Sequence, residues 1–134
     1  MLMHSPLYAA ILALLIIKLS FNVIGLRRAN KISLGDDNHP ELRVAIRAHA
    51  NATEYIPIAL ILLFALELQG IHWSIIHAFG SMFTLGRFIH AFGLPLKTYR
   101  WRVVSMQLTI TVIVLLAVIN MVCIVARQLG NFSG

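Results

Sequence analysis

The chain has 134 residues, 59% of them hydrophobic and only 12% charged, with a mean hydropathy of +0.83. That balance excludes an ordinary soluble domain and points to one compact polytopic membrane domain spanning residues 1–134. The net charge of +6 sits in short clusters between apolar runs rather than along a solvated face, which excludes a nucleic-acid partner and favours anionic headgroups or an anionic ligand. Cys123 is the single cysteine, so no internal disulfide can form.

A membrane span needs about 20 apolar residues. Four stretches meet that length, at about residues 6–26, 45–68, 71–93 and 103–126, and predict an all-α, integral membrane four-helix bundle. The first stretch is too long for a secretory signal and is followed by Arg27 and Arg28 where a small-residue cleavage site would stand, so it is expected to remain as a helix. Lys18, near its middle, is expected to point into the bundle.

The segment "RRANKISLGDDNHPELR" then carries turn chemistry in Gly35, Asp36, Asp37, Asn38 and Pro40, and forms the longest polar connection. Gly70 breaks the chain between the second and third stretches, and Gly93 with Pro95 between the third and fourth. Lys and Arg cluster around the first and third connections, and the second has none. Positive-inside bias therefore predicts that connections one and three are cytoplasmic and that both termini face outward.

Ionisable groups inside a span mark functional positions, because lipid offers them no hydration. The second span opens with "RAHANATEYIP", where Arg47, Asn51, Glu54 and Tyr55 fall at i, i+4, i+7 and i+8 and share one helix face at about 100° per residue. Arg43 lies one turn earlier on that side, while Ile58, Leu62 and Ala65 continue the face as apolar. The polar stripe is thus confined to the cytoplasmic third of the span. Pro57 frees the Thr53 carbonyl beside it. In the third span "GRFIH" sets Arg87 and His90 three residues apart at the same membrane depth. Spacing alone leaves two readings open: mutual satisfaction of Arg47, Glu54 and Asn51 as interhelical glue, or an anion site between two basic helix ends.

Several Arg groups, an amide and one carboxylate at a membrane boundary suit a small zwitterion with excess negative charge, since Arg pairs bidentately with carboxylates and Glu54 can hold an ammonium. Glutathione has two carboxylates, one ammonium and a thiol. A cation near its sulfur favours the nucleophilic thiolate. No metal-ligand cluster, phosphate-binding loop or nucleophile elbow stands in the sequence, and no metal is expected.

"RAHANATEYIP" resembles the signature R-A-[HQ]-x-N-x-x-E of the membrane-associated proteins in eicosanoid and glutathione metabolism, the MAPEG family, through Arg47, Ala48, His49, Asn51 and Glu54. "RRANKIS" resembles the basic pair that closes that family's first helix, and "GRFIH" its A-R-x-x-[HY] element. The resemblance implies a homotrimer of four-helix protomers, with glutathione bound between subunits on the cytoplasmic side, and the short loops and minimal chain suit a bacterial inner membrane. It implies glutathione ligands at Arg27, Arg47, Asn51, Glu54 and Tyr55, joined by Arg87 and His90 from the neighbouring protomer. It places the thiol-activating cation at Arg100 or Arg102, two candidates one residue either side of Trp101. Leu94 stands where the family's glutathione-using enzymes usually keep a Tyr.

The activity implied is that of a glutathione transferase, extending to peroxidase chemistry, acting on lipophilic small molecules or lipids. The alternative is a non-catalytic lipid- or glutathione-binding member of the same family. A small multidrug exporter ranks last, because such a bundle needs a carboxylate early in the first span and this chain has Lys18 there.

Overall fold

A computed structural model describes residues 3–93 and 99–132, with the side chains of 93, 99, 102, 131 and 132 excepted. Its four helices are α1 (Ser5–Asn30), α2 (Pro40–Leu68), α3 (Trp73–Gly93) and α4 (Tyr99–Phe132). Three of them run beyond the apolar stretches expected from sequence, because helical hydrogen bonding continues into polar flanks that leave the hydrocarbon.

Each terminus has a local cause. Pro40 opens α2 at the position where its missing N–H costs nothing, and His39 accepts the Leu42 N–H through Nδ1 at 3.4 Å. At the end of α1, Lys31 adopts a left-handed conformation with φ 56°. The Ile32 N–H then returns to the Arg27 carbonyl at 2.9 Å and the Lys31 N–H to that of Arg28 at 3.3 Å, a Schellman closure. Gly70, at φ 76°, turns α2 into α3. Within α2 the helix passes unbroken through Pro57.

The two inner helices are α2 and α3. Helix α1 packs on both, α4 packs on both, and among the described residues α1 and α4 do not meet. The shared core takes Tyr8, Leu12, Leu15 and Leu19 from α1, Ala48, Ala52, Ile56, Ala59 and Leu63 from α2, Ile76 and Phe83 from α3, and Val112 and Leu116 from α4. Alanines along α2 let its neighbours approach closely, which supplies dispersion contact where lipid removes the hydrophobic drive between helices. Leu14, Phe21, Ile61, Met121 and Val122 face outward, as lipid-facing side chains do.

Three helices, α1, α2 and residues 103–130 of α4, are long and apolar enough to cross a membrane. Helix α3 is the exception to the four apolar stretches expected. Its 21 residues reach about 31 Å, enough to span, but His77, Arg87 and His90 dilute its apolarity. Arg87 and His90 are buried and His77 is half-buried, so this polarity is turned toward the bundle rather than toward lipid. Lys18 also departs from expectation. It lies on the outer face of α1, with its ammonium 4.4 Å from the Phe92 ring centroid, where a cation–π contact and a flexible stem spare it a buried position.

The end of the bundle opposite the first connection is tied by Glu67, a buried carboxylate at the end of α2. It accepts the His4 N–H at 2.5 Å, the Ser5 N–H at 3.0 Å and the Ser5 hydroxyl. Glu67 thereby caps α1 from another helix, a task that the His4 side chain leaves undone. Beside it the Tyr8 hydroxyl meets His77 Nδ1 at 2.7 Å and Ser81 Oγ at 3.0 Å, while His77 Nε2 lies 3.2 Å from His4 Nδ1. Gly80 faces the Tyr8 ring so closely that any Cβ there would overlap it.

Two outcomes follow for stability in detergent. Glu67→Ala strips three charge-assisted hydrogen bonds from the start of α1 and is expected to cost about 2 kcal/mol in reversible SDS unfolding. Gly80→Ala is expected to displace Tyr8 and lower the thermal midpoint, whereas Gly25→Ala, where a new Cβ meets nothing, leaves it unchanged or raises it.

Candidate functional site

The centre of the site is Arg87, which is 1% exposed and lies on the inner face of α3. Its Nη2 donates to Asn51 Oδ1 on α2 at 2.6 Å, and its Nη1 donates to Thr109 Oγ1 on α4 at 3.3 Å. Both acceptors are oriented by second contacts. The Thr109 hydroxyl spends its own proton on the Ser105 carbonyl at 2.9 Å, leaving a lone pair for Arg87. The Asn51 amide nitrogen points at Met106 Sδ, 3.8 Å away, which turns its oxygen toward the guanidinium. One arginine thus joins three helices.

Its charge is only partly answered. Asn51 and Thr109 are neutral, and the Arg87 Nε is buried without a hydrogen-bond acceptor. Tyr55 stands half-buried one turn along α2 from Asn51. Among the described residues the one carboxylate in an ion pair is Asp36, which belongs to Arg43. A buried cation with neutral partners favours an anion nearby.

The remainder of the α2 stripe leads outward from this centre. Asn51 and Tyr55 are half-buried, whereas Arg47 and Glu54 are exposed on the outer side of the helix. Arg43 leaves the stripe. Its Nε donates to Asp36 at 2.5 Å and its Nη2 to Asn38 at 3.1 Å, folding it back over the first connection. That hydrogen bond, with the Asn38 N–H, holds the Asp36 carboxyl below the ordinary carboxylate range. The tie is therefore complete at neutral pH and is lost as pH falls through the lowered Asp36 value, and its place at the surface keeps its effect small.

His90 lies one turn beyond Arg87 and is buried. Arg27 is half-buried in the last turn of α1, with Nη1 buried and lacking an acceptor, and no hydrogen bond or ion pair joins it to Asn51 or Arg87. Arg100 is exposed in the first turn of α4. Leu94 and the Arg102 side chain lie outside the described residues.

Sequence reading brought Asn51 and Arg87 to the same depth but, through the family resemblance, took Arg87 from a neighbouring protomer; the structure instead bonds the two within one chain, because α2 and α3 pack side by side. It missed Thr109, Ser105 and Met106, the α4 half of the same site. The signal available was the i, i+4 pair Ser105 and Thr109, two hydroxyls one above the other at the start of an otherwise apolar run.

A helical bundle that turns its apolar side chains outward and pairs its polar ones inside is an integral membrane protein, with a polar centre built across α2, α3 and α4. The sequence model of the MAPEG family matches residues 5–122. Over 119 residues the chain is 39% identical to the inner membrane protein YecN of Escherichia coli strain K12, covering 89% of this chain and 91% of that one, and equally to the protein of the same name from Escherichia coli O6:H1. The chain belongs to the MAPEG family.

The Arg87 junction makes a prediction of its own. Asn51→Leu leaves a buried cation with one acceptor fewer and is expected to cost about 3 kcal/mol, whereas the double variant Asn51→Leu, Arg87→Met costs less than that single change. A double-mutant cycle in SDS unfolding measures the coupling.

Proposed function

We propose that the chain is a glutathione transferase of the inner membrane, joining the glutathione thiolate to lipophilic electrophiles that enter from the bilayer. The observation that carries this reading is the Arg87 guanidinium, buried among neutral acceptors and continued toward the surface by Asn51, Tyr55, Arg47 and Glu54. Such a row offers cations to the two glutathione carboxylates and one carboxylate, Glu54, to its ammonium. Membership of the family adds weight, and the inner-membrane relatives support the same location; positive-inside bias then puts the basic first and third connections on the cytoplasmic side.

Two exposed charges within a span, Arg47 and Glu54, are costly against lipid, so a neighbouring copy covering them is part of the proposal. A homotrimer would bring the exposed stripe of one protomer against the next, with Arg27 and His90 contributing at its borders. The chemistry asks little beyond position. Arg100 or Arg102, beside the sulfur, lowers the thiol pKa and so raises the thiolate fraction. The sulfur lone pair attacks an electrophilic carbon, a carbon–sulfur bond forms, and the electron pair of the breaking bond leaves with a halide or stays on an opened epoxide oxygen that takes up a proton.

A second reading, glutathione or lipid binding without turnover, is favoured by Leu94 at the position where the family's enzymes usually carry a Tyr. Calorimetric titration of the purified protein with glutathione, followed by assay with an aryl halide, separates the two. Arg47→Ala and Glu54→Ala are each expected to weaken glutathione binding about tenfold or more. Affinity unchanged by both substitutions overturns the site, and binding with thiolate absorbance but no turnover selects the second reading.

A further inference from the structure

Beyond the polar centre, the chain builds a basic depression at the end of α1. A cavity of about 330 Å³ is lined by Ile24, Arg27, Arg28, Lys31, Ile32 and Ser33. Three cations thus share one hollow with two isoleucines and a hydroxyl.

The ordinary explanation for cations here is service to the helix C-terminus, whose carbonyls attract positive charge. That service is already rendered by other groups. The Arg27 carbonyl accepts the Ile32 N–H, the Arg28 carbonyl accepts the Lys31 N–H, and the Leu26 carbonyl accepts Asn30 Nδ2 at 2.9 Å. Nor do carboxylates hold the three cations, since the described ion pair of the adjoining connection is Asp36 with Arg43. Arg27 Nη1 is buried and has no acceptor.

The backbone adds an independent sign. Lys31 takes a left-handed φ of 56°, a conformation that glycine or asparagine adopts with less strain. Asn30 stands one residue earlier, yet a lysine occupies the strained position. The closure also brings Ile32 back beside Ile24 on the cavity wall.

Depth identifies the occupant. Helix α1 is about 39 Å long, more than the hydrocarbon core of about 30 Å. Its outward apolar belt runs through Leu14, Ile17, Phe21 and Ile24 and ends where Arg27 and Arg28 begin. The hollow therefore lies at headgroup level, with isoleucines toward the acyl region and cations toward the phosphate.

We propose that Arg27, Arg28 and Lys31 form a binding site for the phosphate of a net-anionic phospholipid. Arg27 is shared with the border of the proposed glutathione site, whereas Arg28 and Lys31 lie outside that ligand set, so the test is placed on those two and its readout requires no glutathione. Two guanidinium forks and one ammonium match phosphate oxygens, Ser33 can donate one more hydrogen bond, and juxtamembrane cations attract anionic leaflets.

The test follows thermal unfolding of the full chain in a neutral detergent during titration with short-chain phosphatidylglycerol, phosphatidylcholine or inorganic phosphate. Phosphatidylglycerol is expected to raise the midpoint well above the effect of phosphatidylcholine. The double variant Arg28→Gln, Lys31→Asn, whose Asn tolerates the left-handed backbone, is expected to need about thirtyfold more phosphatidylglycerol for the same shift. If inorganic phosphate alone reproduces the shift in wild type and loses it in the double variant, the phosphate chemistry stands and its source is a free anion. Equal responses to the two lipids in wild type, or a full phosphatidylglycerol response in the double variant, overturn the proposal. Should the double variant not fold, Lys31→Gly relieves the backbone and removes one charge, and an unaltered lipid response there overturns it equally.

Discussion

A guanidinium that cannot reach water organises this bundle. Arg87 is buried on the inner face of α3, and lipid outside offers it nothing, so its two terminal nitrogens turn to α2 and α4 for acceptors. Asn51 and Thr109 meet them, and in doing so set the axial register of three helices at one depth. Met106 and Ser105 hold those acceptors in place. Because both acceptors are neutral, the junction fixes the fold and still leaves positive potential at its centre.

The same economy recurs wherever two helices touch. Ser20 and His49 join α1 to α2 at 2.9 Å, Tyr8 and His77 join α1 to α3, and Asn120 on α4 donates to the Leu62 carbonyl of α2 at 3.0 Å. In a bilayer, hydrophobic contact discriminates poorly among helix faces, because lipid tails satisfy them as well as a neighbour does. Small residues permit approach, and polar links choose the register. Glu67 extends the rule to a helix end, capping α1 from α2 and closing the side of the bundle opposite the basic connection. One end is thus held by a carboxylate and hydroxyls, while the other gathers Arg27, Arg28 and Lys31.

Much of this was legible from apolar run lengths and helical spacing. The four helices, the first two connections and the level of Asn51 with Arg87 all follow from patterns within single segments. What escaped the sequence depends on which face meets which neighbour. The periodicity of the first span could not show that Lys18 turns outward over Phe92, a residue 74 positions away. Thr109 looks like any hydroxyl in an apolar helix until Arg87 arrives opposite it. Glu67 sits at a span end among polar residues, where solvation was as plausible as capping. Helix α3 reads as weakly apolar for the same reason, since its polar groups are functional only when turned inward.

The central claim is that the arginines around Asn51 receive the carboxylates of glutathione. Dipolar recoupling between carboxyl-13C glutathione and guanidinium-15N arginine, with the protein reconstituted in lipid bilayers, tests it at the level of the contact itself. The account predicts dephasing that corresponds to a carbon–nitrogen separation of about 4 Å, as in a bidentate pair. Absence of dephasing at saturating glutathione would contradict it.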